Sequence, residues 1–430
     1  MYLLYDLILL VAAAVLIPWY LLRGLRHGKV RRGIRERLGL YEDGRLASLA
    51  GREVIWVHAV SVGETRAAIP LLRALKAAYP QSALVLSSVT ETGHAIASGI
   101  NDADLCLFFP FDLSWVVRRA LTQVKPALIV IVETEIWPNF VRLAHQSGIP
   151  VLLVNGRISD RSYPRYRRVR WLLRPVLERF SAFCMQTDQD AERIRGIGAP
   201  PERVEVTRNL KFDMQTTVPN PAAAASLRQS LRLPDRASIW VAGSTHAGEE
   251  EVVLEVYQRL LREGRALVLV LVPRHPERCR GVGEMLSGQG VPFVLRTAVE
   301  SSSRLLAPGG VLLVDTVGEM LKLYTVADLV FVGGSLIAVG GHNVLEASLL
   351  KKPVIFGSYM HNFKEISQLL LAAGGGIQVA DPTELTTAVR RLLDNHEEAC
   401  RMGERGHALL EANAGATEHT LLVIKRLLGS

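Results

Sequence analysis

The chain has 430 residues, of which 49% are hydrophobic and 21% charged, and its formal net charge is +8 with a pI near 9.4. These values exclude a disordered protein, and the length exceeds what one hydrophobic core usually organises, so we expect two domains. The positive charge indicates an anionic partner, which could be nucleic acid, phospholipid headgroups or a phosphorylated substrate.

The first 22 residues are expected to form a membrane anchor. Residues 3–22 are apolar over about the length that a bilayer requires and are interrupted only by Asp6 and Pro18, with the aromatic pair Trp19 and Tyr20 near the far end. Lys and Arg residues follow closely between positions 23 and 37, which predicts a cytoplasmic main body. A cleaved signal peptide is the alternative, but the basic residues before the apolar core and the small-residue cleavage site after it are both missing.

Beyond the basic segment, short apolar runs alternate with helix-length segments. Each run is apolar on both faces, as in buried parallel strands, and the alternation predicts an α/β fold with two doubly wound sheets. The predicted strands of the first half are 54–59, 83–89, 104–109, 127–132, 150–155 and 182–187, with helices at 64–79, 113–123 and 135–146. Those of the second half are 238–244, 266–273, 292–296, 310–315, 329–335 and 353–357.

The alternation lapses between the two halves in a Pro- and Ala-containing stretch that is typical of a linker with one helical turn. The chain is therefore divided into an anchor, a basic juxtamembrane segment, an N-terminal Rossmann-like domain, a linker and a C-terminal Rossmann-like domain. Their ranges are 1–22, 23–50, 51–210, 211–235 and 236–430. We expect the two Rossmann-like domains to face a central cleft.

Several common sites are poorly supported by the sequence. Neither half has GxGxxG after its first strand, and no GxxxxGK[ST] is present, so dinucleotide and P-loop sites are not indicated. The four cysteines are widely spaced without a CxxC pair, and Cys106 and Cys184 lie in apolar runs. We expect reduced, buried thiols in a cytosolic environment rather than a metal site or disulfides.

In the second half, three loops that follow predicted strands carry groups suited to a phosphorylated ligand. Ser244 and Thr245 stand between a strand and a helix, where they could bind phosphate or simply cap the helix. In VPRHPER, Arg274 and His275 follow a strand between two prolines, and an arginine there can pair with a phosphate or remain an ordinary surface residue.

The third of these loops is FVGGSLIAVGGHNVLEASLL, which contains two Gly-Gly pairs. Glycines let a ligand approach the backbone closely, and the loop includes Gly334 and Ser335. Asn343 can cap the following helix, and Glu346, four residues after His342 on the same helix face, could bind a ribose diol. The alternative is a capped helix with a carboxylate that serves only the fold.

In the first half, IWVHAVSVGETR places Glu64 at the start of a helix that follows a strand. The helix dipole favours an acidic residue there by about 0.3–1 kcal/mol, so a purely structural role is one interpretation. The other is that Glu64 faces a substrate, because ligands bind at the carboxyl ends of parallel strands. The same edge is predicted to carry Ser61, Gly63, Thr90, Glu91, Glu133, Glu135 and Asn139.

The segment NGRISDRSYPRYRRVRWLLRPVLER mixes arginines with aromatic and apolar residues. Together with an N-terminal anchor, this mixture favours a membrane surface or a phosphorylated lipid over nucleic acid or a merely solvated face. The arginines expected to contact such an acceptor are Arg157, Arg161, Arg165 and Arg168.

An ordered set of motifs resembles the bacterial 3-deoxy-D-manno-octulosonic acid (Kdo) transferases of lipopolysaccharide assembly. The motifs are HAVSVGE, ETEIWPN, NGRISDRSYPRY, AGSTHAGEE, VPRHPER, DTVGEM and GGHNVLEA, and they span almost the whole chain. The resemblance implies a GT-B glycosyltransferase that moves Kdo from CMP-Kdo to the lipid A precursor, a phosphorylated, acylated glucosamine disaccharide. It also implies that the reaction inverts the anomeric carbon and needs no metal and no cofactor besides the CMP-Kdo donor. The implied location is the cytoplasmic face of the bacterial inner membrane, where the enzyme would contact phospholipids and no nucleic acid.

The resemblance further implies roles for individual residues. The catalytic base falls on Glu64, whose ionised form we expect the helix N-terminus to favour. The implied donor-binding residues are Ser244, Thr245, Arg274, His275, Gly318, Glu319, Met320, Gly334, Ser335, His342, Asn343 and Glu346. The implied acceptor-binding residues are Ser61, Gly63, Thr90, Glu133, Arg157, Arg161, Arg165 and Arg168.

Two other functions remain open at this point. One is a different GT-B nucleotide-sugar transferase, of the MurG or lipid A disaccharide synthase type, which would prefer UDP to CMP. The other is a non-catalytic, membrane-tethered nucleotide-binding protein with the same fold, whose function would survive loss of the Glu64 carboxylate.

Overall fold

The computed structural model describes residues 2–12, 14, 33–214, 221–299 and 306–429. The chain forms two compact units, of which the first comprises Met1–Met214 and Asn413–Ser430 and the second Gln215–Ala412. Each unit is an α/β domain built on one parallel sheet of seven strands.

The sheet of the first unit has the strand order β3-β2-β1-β4-β5-β6-β7, and every pair in it is parallel. Its strands are β1 Val54–His58, β2 Ala83–Ser88, β3 Leu105–Phe108, β4 Pro126–Val132, β5 Val151–Gly156, β6 Ala182–Met185 and β7 Val204–Val206. The six strands predicted here are confirmed. The additional β7 has only three residues, too few for a periodic pattern.

Helices cover both faces of this sheet. They are α1 Ile34–Arg37, α2 Val62–Ala78, α3 Glu91–Ala97, α4 Ser114–Val124, α5 Pro138–Gln146, α6 Tyr163–Arg168, α7 Arg170–Leu177 and α8 Asp188–Gly196. Successive side chains of β1 point to opposite faces, so Trp56 belongs to one core cluster and Ile55 and Val57 to the other. This two-sided burial explains why the strand is apolar at nearly every position.

The sheet of the second unit has the order β10-β11-β9-β8-β12-β13-β14, again entirely parallel. Its strands are β8 Ser238–Thr245, β9 Leu267–Pro273, β10 Phe293–Leu295, β11 Val311–Leu313, β12 Leu329–Val332, β13 Val354–Gly357 and β14 Gly376–Val379. Its helices are α9 Pro221–Ser230, α10 Glu249–Arg262, α11 Cys279–Gly288, α12 Met320–Thr325, α13 Leu345–Leu349, α14 Lys364–Ala372, α15 Pro382–Asp394 and α16 His396–Asn413. The six predicted strands are present, and β14 is the addition.

The last helix, α17 Ala416–Leu428, returns to the first unit. Its Val423 and Ile424 are buried in the same core cluster as Ile55, and Asp213 accepts hydrogen bonds from the backbone N–H groups of Gly415 and Thr417 at the start of the helix. The sequence-based domain of 236–430 therefore extends too far. Amphipathic periodicity identifies a buried face but does not say which sheet buries it.

The segment predicted as a linker from 211 to 235 is more structured than expected. Residues 211–214 belong to the first unit and include part of the 3-10 turn Leu210–Phe212. The ten-residue α9 replaces the single helical turn that was predicted. Its Ala-rich sequence has a high helix propensity, which the neighbouring prolines obscured.

Both sheets have a point at which the chain changes its direction of strand addition. In the first sheet β1 and β4 are neighbours, and in the second sheet β8 and β12 are neighbours. Loops leaving such a pair diverge to opposite faces, and the crevice between them is the usual ligand site of an open α/β sheet. The predicted site residues after β1, β4, β8 and β12 flank these two points.

At the N-terminus, residues 2–12 are helical and Asp6 is bonded to the first unit. The Asp6 carboxylate accepts hydrogen bonds from the backbone N–H and the hydroxyl of Ser114 and from the side-chain amide of Asn139. None of the helices within the described residues is long and apolar enough to cross a bilayer. Of the predicted anchor over residues 1–22, residues 1, 13 and 15–22 lie outside the described residues.

The cysteines are all free thiols. Cys184 and Cys279 are buried as expected, Cys106 is half-buried, and Cys400 is exposed, against the expectation of buried thiols. Burial raises the pKa of Cys184 to about 12 and that of Cys279 to about 11, which makes both poor nucleophiles.

Candidate functional site

Glu64 closes the turn between β1 and α2 as part of a capping box. Ser61 is the N-cap of α2, and its hydroxyl donates to Glu64 Oε1 at 2.7 Å. Glu64 Oε2 accepts the backbone N–H of Val60, also at 2.7 Å. The Glu64 N–H in turn donates to Ser61 Oγ at 3.5 Å, so the arrangement differs from the usual S-x-x-E capping box in that the carboxylate accepts the N–H of Val60 and not that of Ser61. Each carboxylate oxygen keeps a further lone pair, so the structural role leaves Glu64 able to accept another hydrogen bond.

Burial raises the pKa of Glu64, whose side chain is only 8% exposed. The Ser61 hydroxyl, the Val60 N–H and Lys211 lower that pKa, while the negative charge of Glu133 raises it. The hydrogen bonds at the helix N-terminus favour the ionised form, but desolvation outweighs them and the net pKa lies above that of an ordinary glutamate. The result is a stronger base than an ordinary glutamate.

Two further carboxylates accompany Glu64 at the β1/β4 switch point. Glu133 follows β4 with a left-handed φ of 62°, a conformation that non-glycine residues rarely adopt. Burial, with the negative charges of Glu64 and Glu133, raises the pKa of Glu135 to about 7. The ammonium of Lys211 lies 3.2 Å from Glu133 Oε1. The structure thus assembles three glutamates and one lysine at one sheet edge.

Of the other residues predicted at this sheet edge, Thr90 and Asn139 have structural partners. Thr90 caps α3 by accepting the Gly93 N–H, and its hydroxyl donates to the Val60 carbonyl, which ties it to the Glu64 turn. Gly63 is exposed, and a Cβ at this position would lie 3.9 Å from the Ser61 hydroxyl, at ordinary contact distance. Asn139 is buried and donates to the Asp112 carbonyl and to Asp6, so it fixes the start of α5.

The arginine-rich segment begins at the end of β5 and continues through α6 and α7. Arg157 is half-buried, and its backbone is bonded in both directions to the Thr134 hydroxyl, which fixes it beside the ETEIWPN loop. Arg161, Arg165 and Arg168 are exposed, the last two on α6. The structure therefore leaves three of the four predicted acceptor arginines at the surface.

In the second unit, Glu249 organises the β8/β12 switch point. Its carboxylate is fully buried and accepts backbone N–H groups from both loops, at distances of 2.6–3.1 Å. The donors are His246, Gly334, Ser335 and Leu336. The N–H groups of Gly334 and Ser335, predicted to contact the donor, are therefore already occupied. The Ser335 hydroxyl is occupied too, donating to Val332 and accepting from Gly357.

The two hydroxyl residues before Glu249 differ in their surroundings. Ser244 adopts a left-handed φ of 57° at the end of β8 and is half-buried. Thr245 is fully buried, and among the described residues its hydroxyl has no hydrogen-bond partner. Neither side chain caps α10, whose N-cap is Gly248 with a φ of 92°. The N-cap alternative for both residues is thus ruled out.

The VPRHPER loop is joined to the same helix by a buried ion pair. Arg278 donates to both carboxylate oxygens of Glu250 at 2.8 and 3.2 Å, and Glu250 is 1% exposed. The Arg274 N–H donates to the Thr245 carbonyl, which places the loop beside the end of β8. His275 is more exposed, with its Nδ1 3.8 Å from Glu277.

The GGHN loop is bonded to the β8 loop through two histidines. His246 Nε2 and His342 Nε2 lie 2.9 Å apart with nearly parallel rings, so one nitrogen donates and the other accepts. Asn343 Oδ1 accepts the Leu345 N–H, but the N-cap of α13 is Val344 and not, as was predicted, Asn343. Because α13 begins only at Leu345, His342 and Glu346 do not share a helix face as expected.

In the DTVGEM loop, Gly318 and Glu319 play different parts. Gly318 has a φ of 87° and open space where a side chain would be, which suits close approach of a ligand. The Glu319 carboxylate accepts hydrogen bonds from Arg296 and Thr316, so it fixes the loop. Met320 begins α12, with its sulfur against Gly243.

The chain has clear relatives among known proteins. The family model described as 3-deoxy-D-manno-octulosonic-acid transferase (kdotransferase) matches residues 32–214. The 3-deoxy-D-manno-octulosonic acid transferase of Haemophilus influenzae is 34% identical over 423 residues, which cover 98% of this chain and 97% of that protein. This chain belongs to the Kdo transferase family. A relative of the same name from Bordetella pertussis is 33% identical over 87% of each chain.

The fold agrees with membership of this glycosyltransferase family. The crystal structure of UDP-GlcNAc 2-epimerase from Neisseria meningitidis bound to UDP-GlcNAc superposes with a TM-score of 0.58 over 88% of this chain and 100% of that chain, at 14% identity. At that identity the likeness shows the fold alone, which is the predicted GT-B fold with two Rossmann-like domains. The Kdo transferase chain is therefore a GT-B glycosyltransferase.

Several residues that build these sites were not predicted. Lys211 was assigned to the linker because β7 is too short to be recognised. Glu249, Glu250 and Arg278 read as ordinary charged residues of a helix start and a loop. The run GEEE gave no usable signal, since the burial of Glu249 and Glu250, which requires specific partners, is visible only in the structure.

Proposed function

We propose that this Kdo transferase moves Kdo from CMP-Kdo to the lipid A precursor, lipid IVA, with inversion at the anomeric carbon and without a metal ion. Family membership supports the transfer of Kdo. The acceptor, the stereochemistry, the metal independence and the role of Glu64 are parts of the proposal that experiments have to establish.

The observation that carries the proposal is the position and environment of Glu64. It lies at the switch point of the first sheet, is held by Ser61 and Val60, and has a pKa raised by burial. A general base is most effective when its pKa approaches the working pH. The neighbouring Glu135, whose pKa is raised to about 7, can receive the proton afterwards and pass it to solvent.

In the proposed step, the acceptor hydroxyl loses its proton to Glu64 while its oxygen attacks C2 of Kdo. The bond between C2 and the phosphate oxygen of CMP breaks on the opposite face, so one new glycosidic bond forms and CMP leaves as a monophosphate. Attack from the face opposite the leaving group inverts the anomeric carbon. No group of the protein forms a covalent bond with the donor or the acceptor during this reaction.

The developing charge on CMP needs hydrogen-bond donors that are already in place. We assign this role to Ser244, Thr245 and Arg274, with the His246–His342 pair beside them. The buried hydroxyl of Thr245 supports the assignment, because a buried group without a partner is costly unless a ligand satisfies it. Gly334 and Ser335 would position the loop of this site without binding the phosphate through their N–H groups, since those groups donate to Glu249.

The rest of the nucleotide would contact loops on the same sheet edge. The backbone from Gly318 to Met320 is exposed or half-exposed and would face cytosine, while Asn343 and Glu346 would face the phosphate and ribose. His275, exposed at the end of β9, would contact the outer side of the donor.

We also propose that the enzyme works on the cytoplasmic surface of the bacterial inner membrane. Support comes from Trp171, which is 73% exposed on α7 among arginines, and from exposed leucines of the helix over residues 2–12. Arg161, Arg165 and Arg168 would bind acceptor phosphates or phospholipid headgroups. Arg157, anchored beside the glutamates, would contact the acceptor sugar.

The test measures transfer from CMP-Kdo to lipid IVA in detergent, comparing the unaltered protein with Glu64→Gln and Glu64→Ala. We expect a loss of about 10²–10⁴-fold in kcat with unchanged CMP binding. Full activity in both variants would leave Glu64 as a capping residue only. The control is Glu192→Gln, which removes an exposed carboxylate of the same unit.

Three further arms test the remaining parts. Competition by CMP but not by UDP is expected; the reverse would assign the chain to another GT-B activity.

Activity should persist in EDTA, and loss of activity restored by a divalent cation would refute metal independence. NMR of the product should give an anomeric configuration opposite to that in CMP-Kdo.

A further inference from the structure

Lys211 forms a partly buried ion pair with Glu133, one of the three glutamates at the switch point of the first sheet. Its Nζ lies 3.2 Å from Glu133 Oε1, and the two side chains are 18% and 29% exposed. Lys211 follows β7 in the turn Leu210–Phe212, on the carboxyl edge of the first sheet. An ion pair at this depth is screened by solvent much less than a surface pair.

A relay of buried amides holds the backbone of Lys211 in place. The Gln186 side chain donates to the Asn155 carbonyl, and Asn209 donates to Gln186 Oε1, both at 2.9 Å. Asn155 Oδ1 accepts the Leu210 N–H, and Asn209 Oδ1 accepts the Lys211 N–H, both at 3.0 Å. A flexible surface lysine would need no such support, so the relay indicates that the position of the ammonium matters.

The charges around Glu64 explain why. Glu133 and Glu135 lie close enough to interact with it electrostatically, and Lys211 provides the opposing positive charge. Burial, with the negative charge of Glu135, raises the pKa of Tyr166, which is therefore a neutral phenol near this cluster. Without a cation, three neighbouring carboxyl groups would hold protons more tightly, since like charges disfavour the ionised form.

We propose that Lys211 is a positioning residue that offsets the charge of Glu133 and thereby keeps Glu64 ionised, as a general base must be, at neutral pH. This inference rests on the proposed role of Glu64 and adds the group that makes that role possible. Lys211 acts through Glu133 and does not itself take part in proton transfer.

The experiment compares the pH dependence of kcat/KM for the unaltered protein, Lys211→Met and Lys211→Arg. Lys211→Met should lose about tenfold in kcat/KM near pH 7 and recover above about pH 9, where Glu64 ionises without help. Lys211→Arg keeps the charge and should retain the acidic limb of the unaltered protein. Lys425→Met, an exposed lysine of α17, controls for the loss of one positive charge elsewhere in the unit.

Glu133→Gln and the double variant Lys211→Met/Glu133→Gln complete the cycle. Removing the negative charge alone should move the acidic limb to lower pH, and removing both charges should return it toward that of the unaltered protein. A merely structural lysine would lower activity equally at every pH, and a lysine that binds an acceptor phosphate would raise KM without moving the limb. Either result would overturn the proposal.

The remaining outcomes are also decisive. If Lys211→Met does not fold, Lys211→Gln keeps a hydrogen-bond donor toward Glu133 without the charge and takes its place. If Glu64→Gln is fully active, the proposed function fails first. If Glu64→Gln is inactive while Lys211→Met shows an unaltered pH profile, the base stands and the role of Lys211 is refuted.

Discussion

The carboxylate of Glu249 accepts the backbone N–H of Gly334 at 2.6 Å, and this bond joins the two loops at the switch point of the second sheet. The close approach of the two loops also requires glycine at position 333, because a Cβ there would lie 2.6 Å from the Ser244 carbonyl oxygen and 2.9 Å from Glu249 Oε2. A fully buried carboxylate is stabilised here by four N–H donors. The Gly-Gly pair thus serves packing around Glu249 at least as much as access for a ligand.

Glu249→Gln should therefore weaken nucleotide binding without removing any group that would touch the nucleotide. Each carboxylate oxygen accepts two N–H groups, so the NH₂ of an amide would face two donors and leave both unpaired, at a cost of about 1–3 kcal/mol for each buried group. We expect weaker CMP affinity by calorimetry and a lower urea midpoint. Glu255→Gln, on the exposed face of the same helix, should change neither; equal effects of the two substitutions would contradict this account.

Ser61→Ala separates the structural and chemical parts of the capping box. It removes the helix cap, at about 1 kcal/mol of stability, and also the hydrogen bond that lowers the pKa of Glu64. The acidic limb of the pH–rate profile should then move to higher pH. Thr187→Ala removes the equivalent cap of α8, where the partner is Asp190, and should cost similar stability without moving the limb. A shift in both variants would show that the effect is not local.

Glu135→Gln should stabilise the fold at high pH. The folded-state pKa of Glu135, about 7, lies above its ordinary value, so the folded protein holds this proton more tightly than the unfolded chain does. Ionised Glu135 therefore destabilises the fold as pH rises through about 7, and stability is regained in acid. We expect a gain of about 1 kcal/mol at about pH 8, reduced by solvent screening of a partly exposed group, and none at about pH 4. Urea unfolding at both pH values measures the free energy of unfolding of the two proteins. An equal gain at both pH values would refute the prediction.

Arg278→Met tests the buried pair with Glu250. The substitution leaves an uncompensated carboxylate that is 1% exposed, and we expect a loss of about 3 kcal/mol in stability together with disorder of the VPRHPER loop. Arg280→Met is the matched control, because Arg280 lies two residues along and its pair with Glu284 is almost fully solvated. A small effect of both would mean that the Glu250 carboxylate is neutralised by other means.

The alternation of two-sided apolar strands with helices predicted the sheets well, because a strand that is buried on both faces is apolar at nearly every position. The alternation did not reveal β7 and β14, which are short and partly exposed. It also did not show that α17 packs on the first sheet, because an apolar helix face does not indicate which sheet buries it. The strand-end loops were also predictable as site elements, since the carboxyl edge of a parallel sheet gathers them regardless of detail.

The sequence by itself determined the α/β class, the division into two Rossmann-like halves, the placing of Glu64 at a helix start and the family to which the chain belongs. Those features depend on local periodicity and on motifs read in order. The tertiary structure alone decided that burial raises the pKa of Glu64, that Glu249 occupies the N–H groups of Gly334 and Ser335, and that Lys211 meets Glu133 across 78 residues of chain. Desolvation and ion pairing depend on distances between residues far apart in sequence, which no local pattern contains.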